Sequence, residues 1–253
     1  MFPRYIDREL KMLLLLQHRD DSSVRQGNYD FHLRRLRPVI ESMSTKDATL
    51  GGSWYLSADS IDEALQRPMY ANSEPSTVAI AALTAEYNGR LNDPKSIYCW
   101  NGKQSADGNA LISVSFDTGT LSSFLEISLG ERGLDSSRLG LYKSVAEIVS
   151  EVVLVYNASY VTFGPRAYQE QQVFEDRPGA SWMLYLPHAL TMAQIPEARA
   201  LIPVMRDGNQ QGTIIVSVTD AVFDVNNHDH VKTANDIEIR LADHDLLPRF
   251  VDL

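Results

Sequence analysis

The chain has 253 residues, of which 44% are hydrophobic and 22% are charged. This composition is typical of a folded globular protein and too apolar for an intrinsically disordered one. Its 33 acidic side chains outnumber its 23 basic ones, which gives a formal net charge of -10. Because nucleic-acid binding depends on Lys and Arg, this charge argues against a direct nucleic-acid partner. Opposite potentials steer association, so an acidic protein is better suited to a basic protein partner.

The amino-terminal segment lacks the features of a signal peptide. Asp7 and Glu9 precede the apolar run Leu10–Leu16, and no small-residue cleavage site follows it. The run is too short to cross a bilayer and instead predicts a strand that is buried on both faces. We therefore expect a cytoplasmic protein that has no membrane partner.

The first half of the chain alternates helical and strand patterns. Apolar residues spaced three and four apart predict a helix that begins after an Asn28 cap. A second helix is expected to start at Pro75 and to end near Asn88–Gly89. Short strands are predicted over 53–57, 96–100, 110–116 and 124–129, with a helical turn over 60–65 and a hairpin turn over 117–120.

The second half opens with a predicted helix over 137–156. Its core-facing stripe is Leu141, Val145, Ile148, Val149 and Val152. Strands are predicted over 160–163, 182–186 and 213–218, and segment 231–241 is interpreted as a helix, although Ile237, Ile239 and Leu241 also alternate. These elements indicate an α+β fold, mostly antiparallel sheet with a few packing helices. One domain over 1–253 is expected, and two sheet–helix lobes over 1–130 and 131–253 are the alternative.

No catalytic motif accompanies these elements. The glycines at 130, 133 and 140 form neither a phosphate-binding loop nor a dinucleotide fingerprint, and no nucleophile elbow or zinc-binding helix motif occurs. Cys99 is the one cysteine, so no internal disulfide can form, and its apolar neighbours indicate a buried thiol. No cofactor and no metal are expected.

One cluster near the carboxyl terminus offers an enzymatic alternative. Asp224, His228 and His230 are residue types that hold a divalent metal, which defines the hypothesis of a metal-dependent hydrolase. The same stretch, with Asn226 and Asp229, also suits a turn followed by a helix cap, and this interpretation is favoured.

The three tryptophans, Trp54, Trp100 and Trp182, all lie in predicted strands with apolar neighbours. Packing in the core is the favoured interpretation. A tryptophan on a strand with one exposed face is the alternative, because such residues often anchor a protein partner.

Several ordered segments resemble the immunity protein 52 family of bacterial polymorphic-toxin systems. They are Gly52–Tyr55 with Ser60, Glu63 and Ala64, then Gly179–Pro187, Gly212–Ser217, Ala234–Leu241 and Asp245–Pro248. The likeness spans most of the chain, while the first fifty residues match only as a strand followed by a helix. The family pattern places Gly directly before the second Trp, where this chain has Ser181.

The resemblance implies a non-enzymatic antitoxin whose partner is a cognate nuclease toxin with a restriction-endonuclease-like fold. It also implies delivery of that toxin by a type VI secretion system. Two mechanisms stay open. Acidic side chains fill the toxin's substrate cleft, or the protein binds beside the cleft and blocks either the entry of DNA or the assembly of the toxin. The expected toxin contacts are Asp59, Asp62, Asp224, Asn226, His228 and Asp229. Self-association is left open.

Overall fold

The structure, a computed structural model, describes residues 10–19, 28–88, 94–116 and 122–253. The strands are β1 Lys11–His18, β2 Tyr55–Leu56, β3 Tyr70–Ala71, β4 Glu74–Pro75, β5 Lys95–Trp100, β6 Ala110–Phe116, β7 Ser123–Gly130, β8 Val161–Pro165, β9 Met183–Leu186, β10 Ala200–Arg206 and β11 Asn209–Val216. The helices are α1 Tyr29–Ser44, α2 Ile61–Leu65, α3 Thr77–Glu86, α4 Tyr142–Tyr156 and α5 His228–Asp243, with 3-10 turns at Ala48–Leu50, Arg166–Glu170 and Phe250–Asp252.

Nine strands form one antiparallel sheet in the order β10-β11-β9-β8-β1-β7-β6-β5-β2, and β3 pairs with β4 separately. This arrangement confirms the predicted α+β class. The leucine-rich β1 occupies the centre, where Leu14 lies opposite Ile127 of β7 and Phe163 of β8. Its near-continuous apolar run suits this position, because Leu14 is buried on one face, while on the other face Leu13 is buried and Leu15 is half-buried. The single-domain assignment and the alternative lobes 1–130 and 131–253 stay predictions.

Helices α1 and α4 pack together on the first face of the sheet. His32 of α1 stacks on Phe116 of β6 with ring centroids 3.7 Å apart, and Tyr156 of α4 contacts His18 of β1 at 5.2 Å. Four of the five residues of the predicted α4 stripe are buried here, namely Val145, Ile148, Val149 and Val152. This face is therefore the main hydrophobic core.

The opposite, second face of the sheet is covered unevenly. One row of paired residues crosses it, running Tyr98, Ser113, Glu126, Leu15, Thr162, Leu184 and Ile215. Tyr98 is 53% exposed, whereas Leu184 and Ile215 are 0% and 1% exposed. We call β5, β6, β7 and β1 on this face the open half, and β8, β9 and β11 the covered half.

Two local predictions are wrong, and one strand was not predicted. Helix α4 begins at Tyr142 rather than near Ser137, and Leu141 is exposed instead of belonging to the core stripe. The side chain of Glu131 binds the segment before α4, since it accepts hydrogen bonds from Ser137 Oγ and the Arg138 backbone N–H. These bonds satisfy polar groups outside a helix, so the helix starts later.

The second error concerns α3, which is capped by Ser76, while Pro75 pairs with Tyr70 in the small hairpin. The strand that was not predicted is the edge strand β10, whose apolar run is interrupted by Pro203. The predicted Asn28 cap is confirmed, with its side chain accepting a hydrogen bond from the Phe31 backbone N–H at 3.0 Å. The hairpin turn 117–120 and Gly89 lie outside the described residues.

Candidate functional site

The predicted contacts in loop 224–229 form a turn followed by a helix cap. Asp224 Oδ1 accepts hydrogen bonds from the backbone N–H of Asn226 at 2.8 Å and from its side-chain amide at 3.1 Å. Asn227 caps α5 by accepting from the Asp229 backbone N–H at 3.0 Å. The side chains of His228 and Asp229 are 89% and 92% exposed, so both can reach a partner. The loop is therefore a locally ordered, solvent-accessible patch.

The ligand set of the hydrolase hypothesis is not assembled. His230 Nδ1 accepts a hydrogen bond from the Asp224 backbone N–H at 3.0 Å, and its ring contacts Phe223 at 5.7 Å. The Asp224 carboxylate is directed at Asn226 instead. Across residues 10–19, 28–88, 94–116 and 122–253, no group of three His, Cys, Asp or Glu side chains is placed to hold a metal. The geometry favours the turn-and-cap interpretation.

The second predicted acidic pair lies at the start of α2. Ser60 caps this helix by accepting a hydrogen bond from the Glu63 backbone N–H at 3.2 Å, and Asp59 and Asp62 flank the cap. Both are exposed, and neither forms an ion pair with another described residue, whereas Glu63 pairs with Arg67. Two carboxylates near a helix N-terminus are compatible with its positive end. Their charge is left available to an external cation.

Two clefts lie between the open half of the sheet and the residues at the start of α2, and Asp59 lines one of them. Asp59 lines a cleft of about 260 Å³ together with Tyr98 of β5. Ile61 lines the second cleft, of about 470 Å³, together with Trp100 and Leu111. Acidic and apolar side chains therefore lie side by side on one accessible surface.

The open half presents aromatic and aliphatic side chains to solvent. Tyr98 is 53% and Leu111 48% exposed, on adjacent strands of the same face. Trp100 is only half-buried; its Nε1–H donates to the Lys103 carbonyl at 3.1 Å, and its ring lies 6.0 Å from that of Tyr55. Fixed aromatic side chains that stay partly exposed are the type that anchors protein interfaces.

The interpretation of the tryptophans as core residues is confirmed for two of them. Trp54 and Trp182 are 2% and 1% exposed, and each indole N–H donates to a backbone carbonyl, at Leu50 and Val218 respectively. Trp100 instead fits the alternative of a strand tryptophan with one accessible face. Cys99 beside it is buried as expected, and burial raises the pKa of its thiol.

Reasoning from the sequence missed Tyr98 and Leu111 as surface residues. The signal was present in the alternation, because Ile97 and Cys99 point to the core while Tyr98 and Trp100 point to the other face. The alternation does not say whether that other face is covered. Only the placement of the remaining elements shows that it is open.

The structure does not bring the two acidic patches together. Asp59 follows β2 at one edge of the sheet. Loop 224–229 is bound to the segment after β8, where Gln171 Nε2 donates to the Val225 carbonyl at 3.3 Å. Four strands, β1, β7, β6 and β5, separate β8 from β2. The two patches are therefore separate candidate contacts.

A buried carboxylate, that of Glu238, attaches α5 to the covered half. In the sequence, Glu238 was noted only as one position of the helical spacing over 231–241. Glu238 of α5 is 1% exposed. It accepts hydrogen bonds from Tyr168 Oη at 2.6 Å and from the backbone N–H groups of Ala180 and Val173 at 2.8 Å each. Burial raises the pKa of this carboxyl, and the three donors partly oppose that rise. Glu238 thereby fastens α5 to the segment between β8 and β9.

Together these features define an acidic α+β protein whose accessible surface, apolar with acidic residues beside it, is suited to binding another protein. The model of the family described as immunity protein 52 matches residues 23–249, nearly the whole sequence. The chain belongs to the immunity protein 52 family. Membership of an immunity protein family implies that it binds a cognate toxin protein.

Among solved structures, the chain is similar to a Pseudomonas aeruginosa T6SS protein, PA0821. The two share 14% sequence identity over 92% of this chain and 72% of that one, with a TM-score of 0.48. No curated protein shows significant similarity to the chain. In the described part of the chain, no helix is both long and apolar enough to span a bilayer.

Proposed function

We propose that this protein is a cytoplasmic antitoxin that binds and neutralises a secreted nuclease toxin with a restriction-endonuclease-like fold. The observation that carries the proposal is the excess of carboxylates, 33 acidic against 23 basic side chains, on a member of an immunity protein family. A nuclease must present basic residues, and usually a metal, to the phosphates of its substrate. An acidic inhibitor is attracted to that surface and is repelled by the cell's own nucleic acids.

The proposed docking surface combines the open half with the acidic pair beside it. Tyr98, Trp100 and Leu111 supply apolar anchors that would lose their water on binding. Asp59 and Asp62 lie nearby and supply negative charge that no other described residue pairs. Interfaces typically join an apolar centre to a polar rim in this way. The loop with Asp224, Asn226, His228 and Asp229 is a second, separate contact in the proposal.

Two modes of inhibition follow from this surface. Asp59 and Asp62 could take the place of substrate phosphates in the toxin's cleft, or the open half could cover the neighbouring surface and exclude DNA. A competition experiment with a mononucleotide separates them, because a ligand confined to the catalytic cleft displaces an inhibitor that fills the cleft but not one that binds beside it. The toxin is expected to be encoded beside this protein and delivered by a type VI secretion system.

Co-expression tests the function. Cells that produce the nuclease domain encoded by the neighbouring gene are expected to survive only when this protein is present. The purified protein is expected to inhibit DNA cleavage in proportion to its concentration. Binding without inhibition would instead indicate a chaperone that assists loading of the toxin. Chelator-sensitive hydrolysis by the purified protein, with a stoichiometric bound metal, would contradict the antitoxin proposal.

A further inference from the structure

A polar cleft of about 330 Å³ lies where the open and covered halves of the second face meet. Its floor is formed by β1 and β8, through Leu13, Leu15, Thr162 and Gly164, and Phe250 from the carboxyl terminus closes one side. The segment after β8, which Glu238 holds in place, forms the opposite wall. The cleft thus rests on rigid elements rather than on exposed loops alone.

Two buried hydroxyl groups in this cleft have no hydrogen-bond partner among the described residues. Tyr160 and Ser181 are 1% and 6% exposed, and neither Tyr160 Oη nor Ser181 Oγ makes a bond. Tyr160 precedes β8 and shares a face with Thr162 and Gly164. A Cβ on Gly164 would lie 2.0 Å from Ser181 Oγ, so this hydroxyl sits directly over the same face. Buried hydroxyls without a protein partner are uncommon, and a donor group that enters the cleft would satisfy them.

Ser181 also has a backbone conformation that its residue type disfavours. Its φ is +46°, in the left-handed region where glycine is the usual residue. The serine hydroxyl does not offset this cost, because it forms no hydrogen bond within the described protein. Strained residues of this kind cluster at binding sites, where the strained residue places a functional group. A role in the cleft would account for a serine rather than a glycine at this position.

The charge and walls of the cleft define the ligand it suits. Among the residues that line it, Glu175 is the one with a formal charge, and it is exposed at the surface. Leu13, Leu15 and Phe250 give apolar lining, and the other lining residues include hydroxyl and amide side chains. A long aliphatic side chain that ends in a cation matches the carboxylate, the apolar lining and the hydroxyl groups together. Lys and Arg bury their aliphatic stems and donate hydrogen bonds from their charged ends.

We infer that this cleft receives one Lys or Arg side chain of the protein partner. The stem lies against Leu13, Leu15 and Phe250, and the ammonium or guanidinium group donates to Tyr160 Oη, Ser181 Oγ and the Glu175 carboxylate. This inference deepens the proposed function, since it names one contact with a basic toxin. It also adds a third contact region, on the same face as the open half.

Small probes test the chemistry of the cleft without any toxin. N-acetyl-argininamide and N-acetyl-lysinamide are titrated into the full-length protein and followed by NMR, with neutral N-acetyl-citrullinamide and the acidic α-amide of N-acetyl-glutamate as comparisons. Both cations are expected to shift resonances of residues lining the cleft, with dissociation constants on the order of 10 mM. Equal or tighter binding of the neutral or acidic probe overturns the inference, and so does the absence of binding by either cation.

Variants then connect the cleft to the partner. Tyr160→Phe and Ser181→Gly remove the two hydroxyls and are expected to leave the melting temperature unchanged or raised, since each deletes an unsatisfied or strained group. Both are expected to weaken binding of the neighbouring nuclease domain by about five- to tenfold. Glu175→Gln is expected to do the same, whereas the matched control Glu170→Gln, exposed in the same segment but outside the cleft, is not.

The outcomes separate the two levels of the proposal. If the wild-type protein fails to bind or neutralise the nuclease, the proposed function is wrong, while the probe titration still decides the chemistry of the cleft. If the wild-type protein neutralises the nuclease and all three cleft variants bind it as tightly as the control, the inference about the cleft is wrong. A lowered melting temperature in Tyr160→Phe would also contradict it, because the hydroxyl would then have an internal role.

Discussion

The open and covered halves of the second face have the same strand geometry but differ in how far their side chains are exposed. Tyr98 and Leu184 lie in one continuous row of paired residues, yet the first is 53% exposed and the second fully buried. The difference comes from the elements outside the sheet, since α5 and the segment after β8 close only one side. Surface that is buried within the chain contributes to folding, while apolar surface left exposed is available for a partner.

The largest expected effect is on the covered half. Glu238→Ala leaves the Ala180 and Val173 N–H groups without an acceptor, while the Tyr168 hydroxyl keeps Asn235 Oδ1 as a partner, so the free energy of unfolding is expected to fall by about 3 kcal/mol. Glu126→Ala, on the open half of the same row, is the matched control and is expected to change stability by less than about 0.5 kcal/mol. Urea unfolding measures both. Similar losses for the two variants would remove the distinction between the halves.

The open half is expected to matter for binding instead. Tyr98→Ala combined with Leu111→Ala should weaken toxin binding by about 2 kcal/mol, roughly thirtyfold, because desolvated anchors dominate interface energies. Stability is expected to change little, since both side chains are about half exposed. Met205→Ala, on edge strand β10 and 47% exposed, serves as the control and should bind normally. Calorimetric titration of the nuclease domain distinguishes these results, and an unaffected double variant would place the interface elsewhere.

A smaller effect is expected from the acidic pair. Asp59→Lys with Asp62→Lys should slow association with the toxin by about tenfold at low ionic strength, and the difference should shrink as salt is added. Stopped-flow association rates measure it. Asp229→Lys tests the separate patch in the same way. Loss of association in that variant alone would assign the charged contact to loop 224–229 rather than to the start of α2.

The smallest expected effect is a pH dependence within the covered half. Burial raises the pKa of Glu238 above its ordinary value of about 4.3, so the folded state holds this proton more tightly than the unfolded state. Stability from this group is complete below the unfolded pKa and declines as pH rises through the folded pKa. The stability of the wild type relative to Glu238→Gln is therefore expected to decrease over that range in urea unfolding. An increase with pH would show that the hydrogen bonds outweigh burial.

The types and spacing of residues were sufficient to predict structural features that depend on a single helix or strand. The buried character of β1, the Asn28 cap and the helical stripe through Val145 and Val152 follow from residue type and spacing. The start of α4 did not follow, because a side chain outside the segment, Glu131, binds Ser137 and the Arg138 backbone. The edge strand β10 was missed for a similar reason, since it forms by pairing with β11.

The features of the candidate site also fall into two groups, those set by neighbouring residues and those set by contacts between distant segments. Residue types alone indicated that the 224–229 stretch is a turn and cap and that Cys99 is buried, because those outcomes depend on neighbouring residues. The exposure of Tyr98 depends instead on which elements cover a face, and the cleft at Tyr160 and Ser181 depends on contacts between distant segments. The sequence by itself determined the fold class, the acidic character and the family. Tertiary packing alone decided which apolar residues stay accessible, because coverage is a property of the whole chain.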